Sequence, residues 1–297
     1  MTTYALLGAT GATGSSVLRC LIANPPPDLH RLNILVRSKE KLLQAFPYVL
    51  SSHASSLQIH VFEGNSTSAA DLTPCLANAS TIFMCIGQNG SPPGTVLLTS
   101  TVTATIAVLT QLRDAQDSGK EKPSYQPPAI LHLRSASLNP PLAAQVPRLV
   151  HKTVLFCLHH AYTDLSRACA LYPPAAAAGI LNYVFIDPPT MHDPRSVTPT
   201  GYALLLNGRE KQALALSYAD LGAAMCEAAQ RAAELEGKAV GVSATGRVRE
   251  EWGVLLGYLV GGALGRVREW MVMGVPVLYA PMWPFFGVGV AMYGVAL

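Results

Sequence analysis

The segment Gly8-Ala9-Thr10-Gly11-Ala12-Thr13-Gly14 follows an apolar run, Tyr4 to Leu7, and opens a helical stretch. A G-x-x-G-x-x-G in that context is the pattern of a phosphate cradle. Gly8 permits the tight turn, Gly11 lets the backbone approach a pyrophosphate, and Gly14 allows close helix–strand packing. The helix that starts there presents free N–H groups and the positive end of its dipole to the phosphates. Thr10, Ala12 and Thr13 belong to the same cradle, and the expected ligand is a dinucleotide. A second signal closes the next apolar run. Binders of NAD usually place a carboxylate there for the ribose hydroxyls. This chain has Val36-Arg37-Ser38 instead, with Lys39 and Lys41 close by. The planar fork of Arg37 suits a 2′-phosphate, with Ser38 and Lys41 beside it. The expected cofactor is therefore NADP(H) rather than NAD(H).

These residues need a scaffold, and the hydropathy pattern supplies one. Strand-like runs at 4–7, 32–37, 57–62, 81–86, 129–133 and 183–186 alternate with helical runs at 15–23, 39–46, 69–77, 95–112 and 150–171. That alternation predicts an α/β fold, a doubly wound parallel sheet of Rossmann type. After Gly201 the character changes. A Ser/Asp start opens an amphipathic helix over 217–235, and a last strand is expected at 239–242. The organisation read from this is a dinucleotide-binding core over 1–200 and a small C-terminal substrate or lid region over 201–297, in one continuous unit. Two loops follow strand ends, Gly87 to Gly94 and Asp187 to Gly201. Ligands of such sheets sit outside those carboxyl ends.

Composition narrows the function classes. Only 13% of the 297 residues are charged, about half the share usual in a soluble domain. Half are hydrophobic and the mean hydropathy is +0.29, the reverse of a disordered chain. A net charge of +3 without a Lys/Arg run argues against nucleic acid as a partner. The six cysteines form no C-x-x-C, so reduced thiols and a cytoplasmic location are expected and no metal site is supported. The first residues read as a strand, not as a signal peptide. No charge occurs over 72–112 or after Glu269. The stretch Met271 to Leu297 is long enough to span a bilayer, but Pro276, Pro281 and Pro284 would break a straight helix. For 252–297 the readings are a lid over an apolar substrate pocket, a homodimer surface, a peripheral membrane contact or a spanning helix.

GATGATG, VRSKEKL over 36–42 and SYADLGAAM over 217–225 resemble atypical short-chain dehydrogenases/reductases of the NmrA-like kind. VFEGN at 61–65, LRSAS at 133–137, AYTDL at 161–165 and VFIDP at 184–188 are similar to averufin-oxidase-like oxidoreductases of fungal aromatic-polyketide clusters. The resemblance implies an NADP(H)-dependent oxidoreductase of secondary metabolism acting on an apolar, aromatic polyketide-like substrate. It places the nicotinamide near Ile86, Gly87 and Pro188, and the adenine side near Asn65 and Asp71. It also assigns Ser135 and Tyr162 as the catalytic pair. The lysine expected four residues after the tyrosine is Ser166 here, and Arg167 points roughly 100° away on a helix. Tyrosine titrates near pH ~10 unless a cation lowers it, so without one it is a poor base at neutral pH but still a donor. Another group could replace the lysine: His159, His160 and Asp164 are within a turn of Tyr162. Otherwise hydride transfer dispenses with Tyr162, or Ser135 and Tyr162 only polarise a carbonyl in a non-redox isomerase, cyclase or dehydratase. A nucleotide-sensing binding module without turnover is a further reading. His192 and Asp193 read as a surface loop pair.

Overall fold

A computed structural model describes residues 2–49, 57–88, 90–118, 124–206 and 210–272. The first half alternates strictly: β1 (Thr2–Leu7), α1 (Ala12–Ala23), β2 (Leu29–Val36), α2 (Lys39–Ala45), β3 (Gln58–Glu63), α3 (Ala69–Leu76), β4 (Thr81–Met84), α4 (Leu97–Asp117) and β5 (Ala129–Leu133). A 3-10 turn at Ala136–Leu138 leads into α5 (Pro140–Ala143), α6 (Arg148–Cys157), α7 (His159–Ala170) and α8 (Tyr172–Ala177). Then come β6 (Asn182–Asp187), β7 (Thr190–His192), β8 (Tyr202–Leu205), β9 (Ala215–Ser217), α9 (Tyr218–Gln230), α10 (Ala232–Leu235), β10 (Ala239–Ala244) and α11 (Trp252–Val272).

Eight strands form one sheet in the order β3-β2-β1-β4-β5-β6-β10-β8. All its pairings are parallel except β8 against β10. The strand order reverses direction between β1 and β4, the crevice where such sheets hold ligands. Central strands are buried on both faces, which is why they read as unbroken apolar runs. One apolar core lies under α1 and α9, and the other under α3, α4, α7 and α8. On the first face the helices nearly touch: a Cβ on Gly222 of α9 would stand 2.6 Å from the Ser16 carbonyl carbon of α1. Ser38, Ser68 and Ser217 cap α2, α3 and α9 through their hydroxyl oxygens. Each such cap is worth about 1 kcal/mol.

The structure corrects three local expectations. The single helix expected over 150–171 is broken at Leu158 into α6 and α7. The break frees the His160 and Ala161 amides, and both donate to the Ser91 hydroxyl, at 3.0 and 3.1 Å. The loop expected from Asp187 to Gly201 contains a strand, β7, which pairs with β9, and just beyond it β8 adds an unexpected antiparallel edge. These strands are three and four residues long, too short to show a period. The helix expected over 217–235 is interrupted at Arg231. Among the described residues no helix is long and apolar enough to cross a membrane. Residues 273–297, and with them the three prolines of the tail, lie outside the described residues.

His132 on β5 is fully buried, and its Nδ1 shares a 2.8 Å hydrogen bond with the Tyr172 hydroxyl. Burial, helped by the Arg134 charge, pushes its pKa down to about 3 from an ordinary 6.5. The unfolded chain therefore binds a proton that the fold excludes. The stability this group allows is complete above pH 6.5 and falls as pH drops toward 3, by roughly 1.4 kcal/mol per unit. In a proton NMR titration of the folded protein the His132 ring should stay neutral down to about pH 4. A midpoint near the ordinary value would refute this account.

Candidate active site

The glycine loop sits at the end of β1, beside the end of β4. Gly8 has φ +91°, and a Cβ there would stand 2.6 Å from the Cys85 carbonyl oxygen. A Cβ on Gly14 would stand 2.1 Å from the Gly8 oxygen. Both are glycines because the turn itself demands it. Gly11 differs. Its φ is −79°, and the only close atom to a Cβ would be the Gly8 oxygen at 3.4 Å, an ordinary contact. The fold alone would accept alanine there, so the open space above Gly11 is room for something else to approach. Gly11 is also the N-cap of α1, and no side chain caps that helix. The first-turn amides, beginning at Ala12 and Thr13, have no intrahelical acceptor, the arrangement that favours an anion at a helix start. Thr10 flanks the loop half-buried, and Thr13 is buried against it. Ile86 adjoins the loop, its amide 3.2 Å from the Gly8 Cβ position, and no atom lies within 4 Å of a Cβ on Gly87.

The ends of β2 and β3 form the next part of the rim. Arg37 is exposed and makes no side-chain hydrogen bond or ion pair among the described residues. The Ser38 oxygen accepts from the Lys41 amide at 3.1 Å, which fixes the start of α2 and leaves the Ser38 proton available to a ligand. The Lys41 side chain is exposed. Asn65 closes a turn after β3: its amide donates to Asp71 at 2.8 Å and its Oδ1 accepts from the Thr67 amide at 3.1 Å.

Ser135 and Tyr162, 27 residues apart in sequence, meet at a hydrogen-bond distance of 2.9 Å between Oγ and Oη. Ser135 follows β5 and caps the 3-10 turn, accepting from the Ser137 amide at 3.2 Å. Tyr162 lies in the first turn of α7, the helix whose start is pinned by Ser91 in the loop after β4. That loop, Ser135 and Tyr162 are thus held together. Pro188 adjoins them, its carbonyl accepting from the Ala136 amide at 3.0 Å.

A buried ion pair supports this cluster, and the sequence reading did not find it. Asp187, at the end of β6, is fully buried and accepts from Arg134 Nε at 2.6 Å and Arg134 Nη2 at 2.5 Å. Asn139 donates to the same carboxylate at 2.7 Å, and the Arg134 guanidinium lies over the Phe185 ring at 4.7 Å. Arg134 precedes Ser135, and Asp187 precedes Pro188. The pair therefore ties the ends of β5 and β6 together just beneath the two loops. The available signal was an aspartate ending an otherwise apolar strand, VFID.

Among the described residues none of the three groups expected to replace the lysine is hydrogen-bonded to the Tyr162 hydroxyl, and the His159 ring stands edge-on to that of His160 at 5.1 Å. Ser166 and Arg167 are exposed. Asp164 is buried, and its carboxylate accepts from the Leu98 amide, the Thr99 amide and the Thr99 hydroxyl at 2.8, 3.0 and 2.6 Å. It caps α4, which has no side-chain cap of its own. His160 pairs with Glu269 of α11 at 3.1 Å. Among the described residues the Tyr162 hydroxyl has Ser135 as its partner. His192 is not a surface residue: it is 1% exposed, its Nδ1 accepts from the Glu251 amide at 3.0 Å, and its ring stands edge-on to Trp252. Among the described residues no three His, Cys, Asp or Glu side chains are grouped to hold a metal ion.

No protein-family model matches the chain. Solved structures share its fold. A short-chain dehydrogenase/reductase from Veillonella parvula, solved in complex with NADP, aligns with TM-score 0.58 at 15% identity over 84% of this chain and 97% of that one. An oxidoreductase from Lactococcus lactis aligns with TM-score 0.53 at 14% identity, covering 88% and 95%. Sequence relatives lie much nearer. Averufin oxidase A of Aspergillus flavus is 55% identical over 269 residues, 91% of this chain and 92% of that protein. An averufin oxidase of Emericella nidulans is 50% identical over 294 residues, 94% and 96% of the two. At that identity, over nearly the whole of both proteins, the chain belongs to the averufin oxidase family of fungal oxidoreductases.

Proposed function

We propose that this chain is an NADP(H)-dependent oxidoreductase of polyketide secondary metabolism, acting on an apolar aromatic substrate of the kind its relatives are named for. The observation that carries the proposal is the open space at Gly11 above an uncapped helix start, where the fold needs no glycine but a pyrophosphate does. In this reading Gly8, Thr10, Gly11, Ala12, Thr13 and Gly14 hold the pyrophosphate. Arg37, Ser38 and Lys41 hold the 2′-phosphate, and Asn65 borders the adenine. Ile86, Gly87 and Pro188 line the nicotinamide end. The bound cofactor supplies hydride exchange. Ser135 orients the substrate oxygen by a hydrogen bond. Tyr162, hydrogen-bonded to Ser135 at 2.9 Å, donates to the same oxygen. The exposed side of α11, with the sequence on to 297, is read as a contact region for a membrane surface or a second copy. The six cysteines are free, which fits a cytoplasmic protein.

Ser166 in place of lysine favours one rival reading: a non-redox isomerase, cyclase or dehydratase using the same Ser135–Tyr162 pair to polarise a carbonyl. Product formation matched one-for-one by a change in reduced-nicotinamide absorbance supports the redox reading. Turnover that is indifferent to the redox form of the nucleotide supports the rival.

The cofactor assignment has its own test. By calorimetry, NADP(H) should bind more tightly than NAD(H). Arg37→Ala should weaken NADP(H) binding roughly tenfold to hundredfold by removing charge-assisted hydrogen bonds, with little effect on NAD(H). Tighter NAD(H) binding by the unaltered protein would sink the assignment.

A further inference from the structure

Helix α11 packs by one side only. A Cβ on Gly262 would stand 1.9 Å from the Cys157 carbonyl oxygen, so the backbones of α11 and α6 touch there. Arg266 lies over Phe156 and Trp270, and it also binds Glu269 at 2.6 Å. The other side is largely exposed. Leu256, Val260, Leu264 and Met271 are 56%, 58%, 66% and 59% exposed. At roughly 100° per residue these four fall within a sector of about 80°, about a third of a turn round from Gly262, Arg266 and Trp270. Isolated exposed leucines are ordinary, but a stripe along one helix marks a contact surface.

The charges around the stripe say what it contacts. Six of the 21 Lys and Arg, but three of the 18 Asp and Glu, lie within 148–157 and 245–272. The remaining chain holds fifteen of each, so the whole net charge of +3 belongs to α6, α11 and the loop before α11. The three carboxylates there are engaged: Glu269 by Arg266 and His160, Glu250 by the Trp252 indole at 2.7 Å, and Glu251 by Arg249 at 3.7 Å. Arg148, Arg247 and Arg268 are exposed and in no ion pair among the described residues. Arg268 falls about 40° beyond Leu264 round the helix, and an apolar stripe on the chain's most basic segment, with no free carboxylate there, complements an anionic lipid surface. A second copy would bring the same positive charges against one another. The sequence that follows Val272 carries no charge and includes Trp283, Phe285, Phe286 and Tyr293, aromatic types favoured at the headgroup level.

We propose that the outer side of α11 docks on an anionic phospholipid membrane, its Leu256–Val260–Leu264 stripe entering the interfacial layer and Arg148, Arg247 and Arg268 meeting headgroup phosphates. This rests on reading α11 as a contact element and not on the cofactor assignment. An apolar polyketide partitions into such a layer, so docking would bring enzyme and substrate to the same place.

The test is flotation of the full chain with vesicles of phosphatidylcholine alone and of phosphatidylcholine with phosphatidylserine. Binding is expected to the second, to weaken with salt, to fall about fivefold in Arg268→Ala and further in Arg268→Glu. Leu256→Asp with Leu264→Asp should abolish it while NADP(H) binding, measured on the same sample, is unchanged. Three results would overturn the proposal: no flotation of the full chain with either vesicle, equal binding to both that ignores salt, or a homodimer in solution that the double aspartate variant splits without any vesicle binding. Failure of nucleotide binding would strike the cofactor reading alone.

Discussion

Tyr162→Phe is expected to lower kcat by roughly 10²–10⁴-fold, the usual worth of a positioned proton donor. The substitution removes one oxygen and leaves the ring, which is half-buried against the apolar core, in place. Folding stability and nucleotide affinity should therefore change little. Ser135→Ala should lower kcat as well, since it removes the other half of the 2.9 Å pair. The Ser135 oxygen also caps the 3-10 turn, so some stability will be lost with it. The two losses should not add. If both hydroxyls hold one substrate oxygen, the double variant will be scarcely worse than Tyr162→Phe alone. Additive losses would mean that the two act on different atoms. Steady-state rates of the three variants, with nucleotide Kd measured separately, decide the matter. A Tyr162→Phe enzyme that keeps full kcat would remove Tyr162 from the chemistry and leave hydride transfer without it.

The glycine loop could be read from the sequence because its constraints are local. A turn at positive φ, a close helix–strand approach and an uncapped helix start all fall within seven residues, and each demands a particular residue type. The parallel strands could be read for a related reason: burial on both faces leaves runs such as YALL and TIFM with no polar interruption. What stayed hidden depends on partners far apart in the chain. Arg134 and Asp187 are 53 residues apart, and neither shows in sequence which ion it meets. The amides freed at the break between α6 and α7 find their acceptor in Ser91, 69 residues before the first of them. Nothing in the helical period of 150–171 encodes it. His192 beside Asp193 looked like an exposed polar pair, yet the fold buries the histidine under Trp252, a residue 60 positions away. Asp164 is the reverse case. Its type and its nearness to Tyr162 suggested chemistry, and its geometry shows a cap for a neighbouring helix.

Asp187→Ala is expected to be the most destabilising of the substitutions considered. Arg134 is 12% exposed and Asp187 not at all, so removing the carboxylate strands a guanidinium in the interior and leaves the Asn139 amide without its acceptor. Breaking a buried pair in this way costs about 3–5 kcal/mol. Urea unfolding should show a lower midpoint at unchanged slope. Replacing both partners with apolar residues of similar volume, Arg134→Met with Asp187→Leu, should recover much of the loss, because neither charge then needs solvation. The double variant separates two roles. If the pair only stabilises, the rescued protein should turn over normally. The geometry argues otherwise: Arg134 and Asp187 immediately precede Ser135 and Pro188, and their bidentate contact adds a side-chain tie to the backbone pairing of the two strand ends. The rescued variant should therefore be folded and bind nucleotide, yet show a depressed kcat. A loss below about 1 kcal/mol in Asp187→Ala would mean that the interior there relaxes to admit water, and the positioning role would fall with it.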